Sequence, residues 1–578
     1  MGRNRTTSKN IMLRKTGDYI GKNTMQAEIA KPWIAFYEEL GIETPDFEDL
    51  PVGSYVQTHA RVRPNAPALA YFDKVISYSE LNTAANQLAN ALTALGIKRG
   101  DVIGLHMPNI PQYAIAIIAI SKMGAIGTGL SPLLAPPELA HQIKDGKVKI
   151  VISLSDLAGA LAKMPEVPPS LKSVIVTGSA DFLTRAPFEC PDIKGVDVLT
   201  YLGLTDPAKE TFEQKDVHWN DTFMIQYTGG TTGKPKGAML SHRNVLHNTA
   251  QTTSINEWVE GKETIISAFP MFHIAGLSNA LSTARFGGLF VLIPNPRDTD
   301  FICQQIKAFP PTIMAGVPAL YDMMSANPNF AKSEFSQLKT ALTGAAPLTR
   351  TSYDALSEII GKGKISDVFG MTETSPCYTG HPPKRYKLGS VGIPMPGVTV
   401  RIRDIETGER DMPIGEPGEI VCSGPQVMKG YLNLPEQTAH ALREIDGERY
   451  MFSGDVGYMD EDGYIFLCDR AKDMLIVGGY KVFSVEVEEK LCALPEIASC
   501  AVVGAEDAER PGNDIVHLFV ELSAKHKNDN PDSVTEKIIQ FCREAMAPYK
   551  VPKHVHIIDS IPLTPVGKID KKALRQTV

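Results

Sequence analysis

From residue 62 to residue 150, short apolar runs alternate with helical patterns, and the alternation resumes after residue 260. Strands that are apolar throughout must be covered on both faces, which restricts such a chain to an α/β fold with largely parallel sheets. In the first block, residues 79–95 predict a helix with Leu81, Ala84, Leu88, Ala91, Leu92 and Leu95 on one side. Residues 101–106 predict a buried strand, 112–122 a buried helix, and 149–154 and 173–177 further strands. In the second block, strands are expected at 264–268, 289–294, 313–317, 338–343 and 364–368, with helices at 276–284 and 301–308.

The texture changes twice more. Near residue 385 the runs 398–403 and 419–423 alternate apolar and polar residues between glycine-rich turns, the pattern of a small β-rich subdomain. After 469–473 (DRAKD) come a helix at 484–494 with an acidic face, strands at 498–504, 515–522 and 554–558, and an amphipathic helix at 534–546. That is enough for a small α+β domain. The expected organisation is a basic tail at 1–26, a large domain at 27–469 that includes the β-rich part 385–469, a connector at 470–473, and a small domain at 474–578. Within 27–50, Trp33 and Phe36 are the apolar anchors.

The net charge of −8 over 578 residues argues against nucleic-acid binding, which needs a basic face. None of the eight cysteines forms a C-x-x-C pair, so zinc is not expected and a reducing compartment is. The first 17 residues hold Arg3, Arg5, Lys9, Arg14 and Lys15 and no acid. They read as a disordered basic tail, although they loosely match a transit peptide, and Met1-Gly2 with Thr6 fits the myristoylation pattern. The most apolar run, 113–120, meets Ser121 and Lys122 well short of a membrane span. A cytoplasmic protein is expected, and both peripheral membrane contact and a homodimer are compatible with the sequence.

Residues 224–240 read MIQYTGGTTGKPKGAML, and from Thr222 to Asn256 there is no Asp or Glu. Small residues with free backbone N–H groups, hydroxyl donors and two ammonium groups make a loop suited to polyphosphate. It is not a P-loop. Counting from Gly229, Lys234 stands where a glycine is required, and Pro235 follows it instead of the Ser or Thr that would hold magnesium.

Four further stretches follow in order: 269–276 (FPMFHIAG), 343–347 (TGAAP), 369–373 (FGMTE), and a series from 453–455 (SGD) through Arg470 and 478–480 (GGY) to Gly567-Lys568. With the loop YTGGTTGKPKG, this series resembles the adenylate-forming ligases: acyl-CoA synthetases, amino-acid adenylation domains and luciferases. The wording QYTGGTTG and SGPQVMKGY is most similar to the medium- and long-chain fatty acyl-CoA synthetases. The resemblance covers nearly the whole chain. It implies ATP, Mg2+ and CoA as cofactors or co-substrates, and a small-molecule carboxylic acid as partner. The acid would attack the α-phosphate of ATP to give an acyl-adenylate and pyrophosphate, and a thiol would then displace AMP. Such chemistry needs no protein nucleophile, and the chain has no G-x-S-x-G elbow. Positioning and neutralisation of phosphate charge must carry it.

The resemblance also implies roles. Thr228, Gly229, Gly230, Thr231, Thr232, Gly233 and Lys236 would cover the β- and γ-phosphates. Glu373 would hold Mg2+, and Thr372 would touch phosphate. Gly344, Ala345, Ala346, Phe369 and Gly370 would form the adenine slot, with Asp367 toward the adenine amine. Asp455 would accept from the ribose hydroxyls, supported by Arg470. Lys568 would bridge carboxylate and α-phosphate from a mobile C-terminal domain turning at the hinge Lys472. Gly478, Gly479 and Tyr480 would then receive CoA. Many family members have Tyr where Phe369 stands.

His273 in an apolar run reads either as a satisfied core histidine or, by resemblance, as a group beside the carboxylate. Amino-acid adenylation domains carry Asp near that place, so an amino-acid substrate is not expected. Gly276, Leu277 and Gly370 are taken to line the acyl pocket, since acetate-using relatives have Trp at the position of Gly370. Arg285 is the one cation placed to pair a second carboxylate. A medium- or long-chain fatty acid is expected. The alternatives are an aryl or cyclic acid, an acyl-AMP ligase serving a carrier protein, a catalytically dead nucleotide-binding regulator, and a luciferase-like oxygenase.

Overall fold

The computed structural model describes residues 31–45, 50–228, 235–382, 384–507, 510–563 and 569–578. Among them, two sheets share one core. A nine-stranded sheet runs from Ile393–Pro394 through Cys377–Gly380, Ile365–Gly370, Thr340–Gly344, Ile313–Gly316, Thr264–Ser267, Leu289–Leu292 and Pro67–Tyr71 to Lys74–Ser77. An eight-stranded sheet runs from Gly430–Tyr431 through Lys236–Ser241, Thr222–Thr228, Ile126–Gly129, Val102–His106, Val148–Leu154 and Ser173–Thr177 to Asp197–Thr200. The interior pairs are parallel. The strands ending in the sequence stretches of interest turn antiparallel at the sheet edges. Ile103, Leu105 and Ile150 of one sheet and Ile265, Phe290 and Ile313 of the other lie in a single buried cluster.

The helix Tyr78–Ala94 starts where its sequence tells it to. Ser77 Oγ accepts from Glu80 N, and Glu80 Oε2 accepts from Ser77 N at 2.8 Å, a capping box that satisfies two otherwise orphaned donors. Leu81, Ala85, Leu88 and Leu92 then bury one face. All 13 residues of Pro111–Met123 are buried, which explains why this helix shows no polar stripe. Each of its isoleucines contributes about 1.5–3 kcal/mol by burial. Ser121 and Lys122 lie within the helix, in keeping with the expected helix at 112–122. Lys122 is buried, donates to Asn82 and, at 2.7 Å, to Asn86, and burial pulls its pKa down to about 8.

Thr399–Arg403, Gly418–Ser423, Glu448–Met459, Leu442–Ile445 and Ile465–Arg470 form an antiparallel sheet. From Leu475 on, the hairpin Leu475–Val477/Tyr480–Val482, a sheet of Ile497–Glu506, Asp514–Leu522 and His554–Ile558, and the helices Ser484–Leu491 and Pro531–Ala545 enclose a core of their own. The hairpin Pro67–Tyr71/Lys74–Ser77 was not anticipated, because its strands are short and unpatterned. Trp33 is buried as expected, and Phe36 packs edge-on against Tyr464 at 5.9 Å. No helix among the described residues is long and apolar enough to cross a membrane.

Candidate active site

Thr222–Thr228 and Lys236–Ser241 form a hairpin whose last rung is Thr228 with Lys236. Thr228 Oγ1 donates to the Lys236 carbonyl at 3.5 Å. Gly229, Gly230, Thr231, Thr232 and Gly233, between these strands, lie outside the described residues. The hairpin therefore fixes both ends of the acid-free loop. Lys236 directs its ammonium over the ring of Tyr431, 4.3 Å from the centroid.

Tyr431 links this cation to Glu373. Its hydroxyl donates to Glu373 Oε1 at 2.6 Å, and both side chains are buried. Burial, and then the Glu373 carboxylate, raise the Tyr431 pKa, so the phenol stays protonated and remains a donor. Glu373 sits in the single 3-10 turn Thr372–Thr374. The turn is held from below: Met428 N donates to the Glu373 carbonyl at 2.8 Å, and Ser375 Oγ donates to the Gln426 carbonyl at 2.9 Å. Among the described residues, Tyr431 alone hydrogen-bonds the Glu373 carboxylate, and it uses one oxygen. The other remains for a hard cation. No cluster of three or more His, Cys, Asp or Glu among the described residues could hold a metal by itself. Mg2+ fits that situation, because it binds through one or two carboxylates completed by substrate phosphates. Half-buried Thr372 begins the same turn.

Thr340–Gly344 and Ile365–Gly370 are neighbouring parallel strands, with Thr343 opposite Asp367 and Gly344 opposite Val368. Ala345 and Ala346 follow on the surface, Ala345 with φ 68°. Asp367 and Phe369 alternate onto the same face of their strand, beside that turn. Asp367 is buried, and burial pushes its pKa up to about 8 against a partial offset from the Val368 N–H. Phe369 meets Tyr378 edge-on at 5.4 Å. Tyr378 reaches the next cluster: the Asp455 charge adds to burial in raising its pKa. Asp455 and Arg470 face each other across adjacent strands, with Arg470 Nε 3.0 Å from Asp455 Oδ1. Lys472 lies two residues on, exposed.

Gly478 and Gly479 form the turn of the hairpin that opens the C-terminal unit. Their φ values of 59° and 81° demand glycine, and a Cβ on either would meet nothing within 4 Å. Tyr480 is 60% exposed and stacks on Tyr549 at 4.6 Å. Lys568 lies outside the described residues; Leu563 and Ile569, on either side of its segment, bridge to each other.

The residues expected to line the acyl pocket have close neighbours of their own. A Cβ on Gly370 would stand 1.9 Å from the Pro376 carbonyl oxygen, and one on Gly276 2.2 Å from that of Pro270. Close backbone approach accounts for both glycines. Leu277 is wholly buried in the main core. His273 is the N-cap of the helix Ile274–Phe286, its Nδ1 accepting from Ala275 N at 3.3 Å, which places the ring proton on Nε2. Arg285 lies over the rings of Phe286 and Tyr55 and is hydrogen-bonded to Tyr55. Two residues of the site escaped the sequence reading. Tyr431 lay within the quoted SGPQVMKGY, and Tyr378 carried no signal beyond its nearness to Glu373.

The family described as AMP-binding enzyme matches residues 56–432, and its C-terminal domain matches residues 486–568. A long-chain-fatty-acid–CoA ligase of Bacillus subtilis (strain 168) is 33% identical over 564 residues, spanning 94% of this chain and 97% of the relative. A feruloyl-CoA synthase of Amycolatopsis sp is 32% identical over 528 residues, 91% of this chain and 98% of the relative. Among solved structures, an anthranilate–CoA ligase in complex with anthranoyl-AMP superposes with a TM-score of 0.79 at 26% identity, covering 92% of this chain and 98% of that one.

Proposed function

Because the chain belongs to the AMP-binding enzyme family, we propose that it activates a medium- or long-chain fatty acid with ATP and transfers the acyl group to CoA. The carboxylate attacks the α-phosphorus, pyrophosphate leaves, and the CoA thiol displaces AMP from the acyl-adenylate. The observation that carries the reading is the contact chain Lys236–Tyr431–Glu373 at the mouth of the acid-free hairpin. It puts a cation and a buried carboxylate at one place, as a metal-bound triphosphate requires.

Mg2+ held by Glu373 would neutralise charge on the departing pyrophosphate. Thr228 and Lys236 would contact the same phosphates, with the loop between them as a lid. Asp455 would take the ribose hydroxyls while Arg470 holds its carboxylate in place, and Phe369 would offer its face to adenine. Lys568, carried by the C-terminal unit, would neutralise the α-phosphate as the carboxylate attacks it. Rotation at Lys472 would then exchange Lys568 for the turn Gly478-Gly479, whose side-chain-free backbone would let pantetheine approach.

Two observations bear on the acid. The relative named for long-chain fatty acids aligns over nearly the whole length of both chains. Arg285, the arginine the sequence offered for a second carboxylate, is engaged by Tyr55. The feruloyl-CoA synthase relative favours an aryl acid as the second reading. Incubation with Mg-ATP and a panel of fatty, aryl and dicarboxylic acids, with and without CoA, separates these. Pyrophosphate and AMP with a fatty acyl thioester are expected; ADP in place of AMP would falsify the mechanism, and an exclusive aryl product overturns the choice of acid.

A further inference from the structure

Tyr431 stands on a strand of two residues, yet its place is closely fixed. Gly430 and Tyr431 pair with Met239 and Ala238, and the flanking residues extend the ladder, Lys429 N donating to the Met239 carbonyl at 2.9 Å and Leu432 N to the Gly237 carbonyl at 2.8 Å. Tyr431 N donates to Thr438 Oγ1 at 2.9 Å. Upstream, Asn244 Nδ2 donates to the carbonyls of Pro425 and Val427, both at 2.8 Å. Segment 425–432 is thus fastened to the strand that begins at Lys236, to the helix after it, and to the turn that holds Glu373. Its one buried phenol points at the carboxylate, and its ring faces the ammonium.

We propose that Tyr431 is the positioning residue of the metal–pyrophosphate end of the site: its hydroxyl orients the Glu373 carboxylate, and its ring face seats the Lys236 ammonium. The inference rests on the function proposed above. The two contacts use different parts of one side chain and so can be separated. The hydroxyl occupies Oε1 and fixes the carboxylate, so that Oε2 would be left to hold the cation. The ring attracts Lys236 through its quadrupole without neutralising it, so the ammonium keeps its full charge for phosphate. A carboxylate in the same place would compete with the nucleotide.

Tyr431→Phe keeps the ring and removes the hydroxyl, whereas Tyr431→Leu removes both. ATP binding to the full-length protein is measured by calorimetry, with Mg2+ titrated and with metal chelated. Wild type is expected to bind ATP more tightly with Mg2+. In Tyr431→Phe the Mg2+ concentration for half-maximal enhancement rises about tenfold or more, the loss expected for a buried hydrogen bond to a charged group, while metal-free affinity stays within about twofold of wild type. In Tyr431→Leu the metal-free affinity falls as well. A melting temperature of Tyr431→Phe close to wild type shows that the change is not unfolding. If Tyr431→Phe leaves the Mg2+ midpoint unmoved, or if Phe and Leu behave alike, the inference is overturned though the proposed function stands. If wild type itself shows no Mg2+-dependent ATP binding, the proposed function falls and this inference with it.

Discussion

Asp367 carries its carboxyl where the fold opposes its charge. Burial outweighs the one backbone N–H beside it, and the group stays protonated up to about pH 8, whereas an unfolded chain releases that proton near pH ~3.9. Between those values the native state binds more protons than the unfolded one, so this residue's contribution to stability falls as pH rises through the window and levels off above it. Asp367→Asn removes the titration. Its melting temperature should exceed that of wild type by a margin that grows from about pH 5 to about pH 8, reaching on the order of 3 °C. Parallel melting profiles for the two proteins across that range would show that the carboxyl does not titrate there. A carboxyl kept neutral beside Phe369 also suits an adenine slot, since it adds no repulsion toward the phosphates.

At the scale of elements, the connector between the two cores invites a sharper test. Ala471 N donates to the Gly454 carbonyl, and Asp473 N and Met474 N both donate to that of Arg470. The Lys472 N–H makes no backbone hydrogen bond among the described residues, so proline there removes no backbone hydrogen bond in this arrangement while fixing φ. Lys472→Pro should leave acyl-AMP formation within about threefold of wild type and slow thioester formation about tenfold or more; equal loss in both half-reactions, followed by pyrophosphate and thioester release, would remove Lys472 as the hinge. Elements whose reasons are local could be read from the sequence. The apolar spacing of Leu81, Leu88 and Leu92 gave the helix Tyr78–Ala94, and the strands 149–154 and 173–177 were plain apolar runs. Elements whose reasons are distant could not. Gly430–Tyr431 is a strand only because Met239 and Ala238 pair with it. The same holds within the site. Glu373, Asp455 and Arg470 lie in short motifs that can be read as they stand. The Tyr431–Glu373 contact joins residues 58 positions apart. The carbonyl of Pro376 beside Gly370 gives that glycine a structural reason the sequence did not show, because backbone crowding leaves no mark in composition.

At the scale of the whole molecule, the proposed function divides the chemistry between two cores. Lys236, Glu373, Tyr431, Phe369, Asp455 and Arg470 all precede the connector, and Lys568 follows it. Ground-state ATP binding should therefore belong to the large part, and the transition state of adenylation to both. Beyond that segment, Lys571 Nζ contacts Glu488 Oε1 at 2.7 Å and Ser484 Oγ at 2.6 Å, which ties the last described residues to the helix Ser484–Leu491. In the proposed function Lys568 would neutralise the α-phosphate during attack and be withdrawn before the thiol enters. Lys568→Gln keeps a polar, hydrogen-bonding side chain, one atom shorter, and loses the charge. It should leave the ATP dissociation constant within about threefold of wild type, lower acyl-AMP formation by roughly 100-fold or more, and leave thioester formation from preformed acyl-AMP and CoA nearly unchanged. Single-turnover measurements of each half-reaction read these outcomes separately. Weaker ATP binding with intact adenylation would place Lys568 in the ground-state site, and equal loss from preformed acyl-AMP would show that the C-terminal unit no longer reaches its second position.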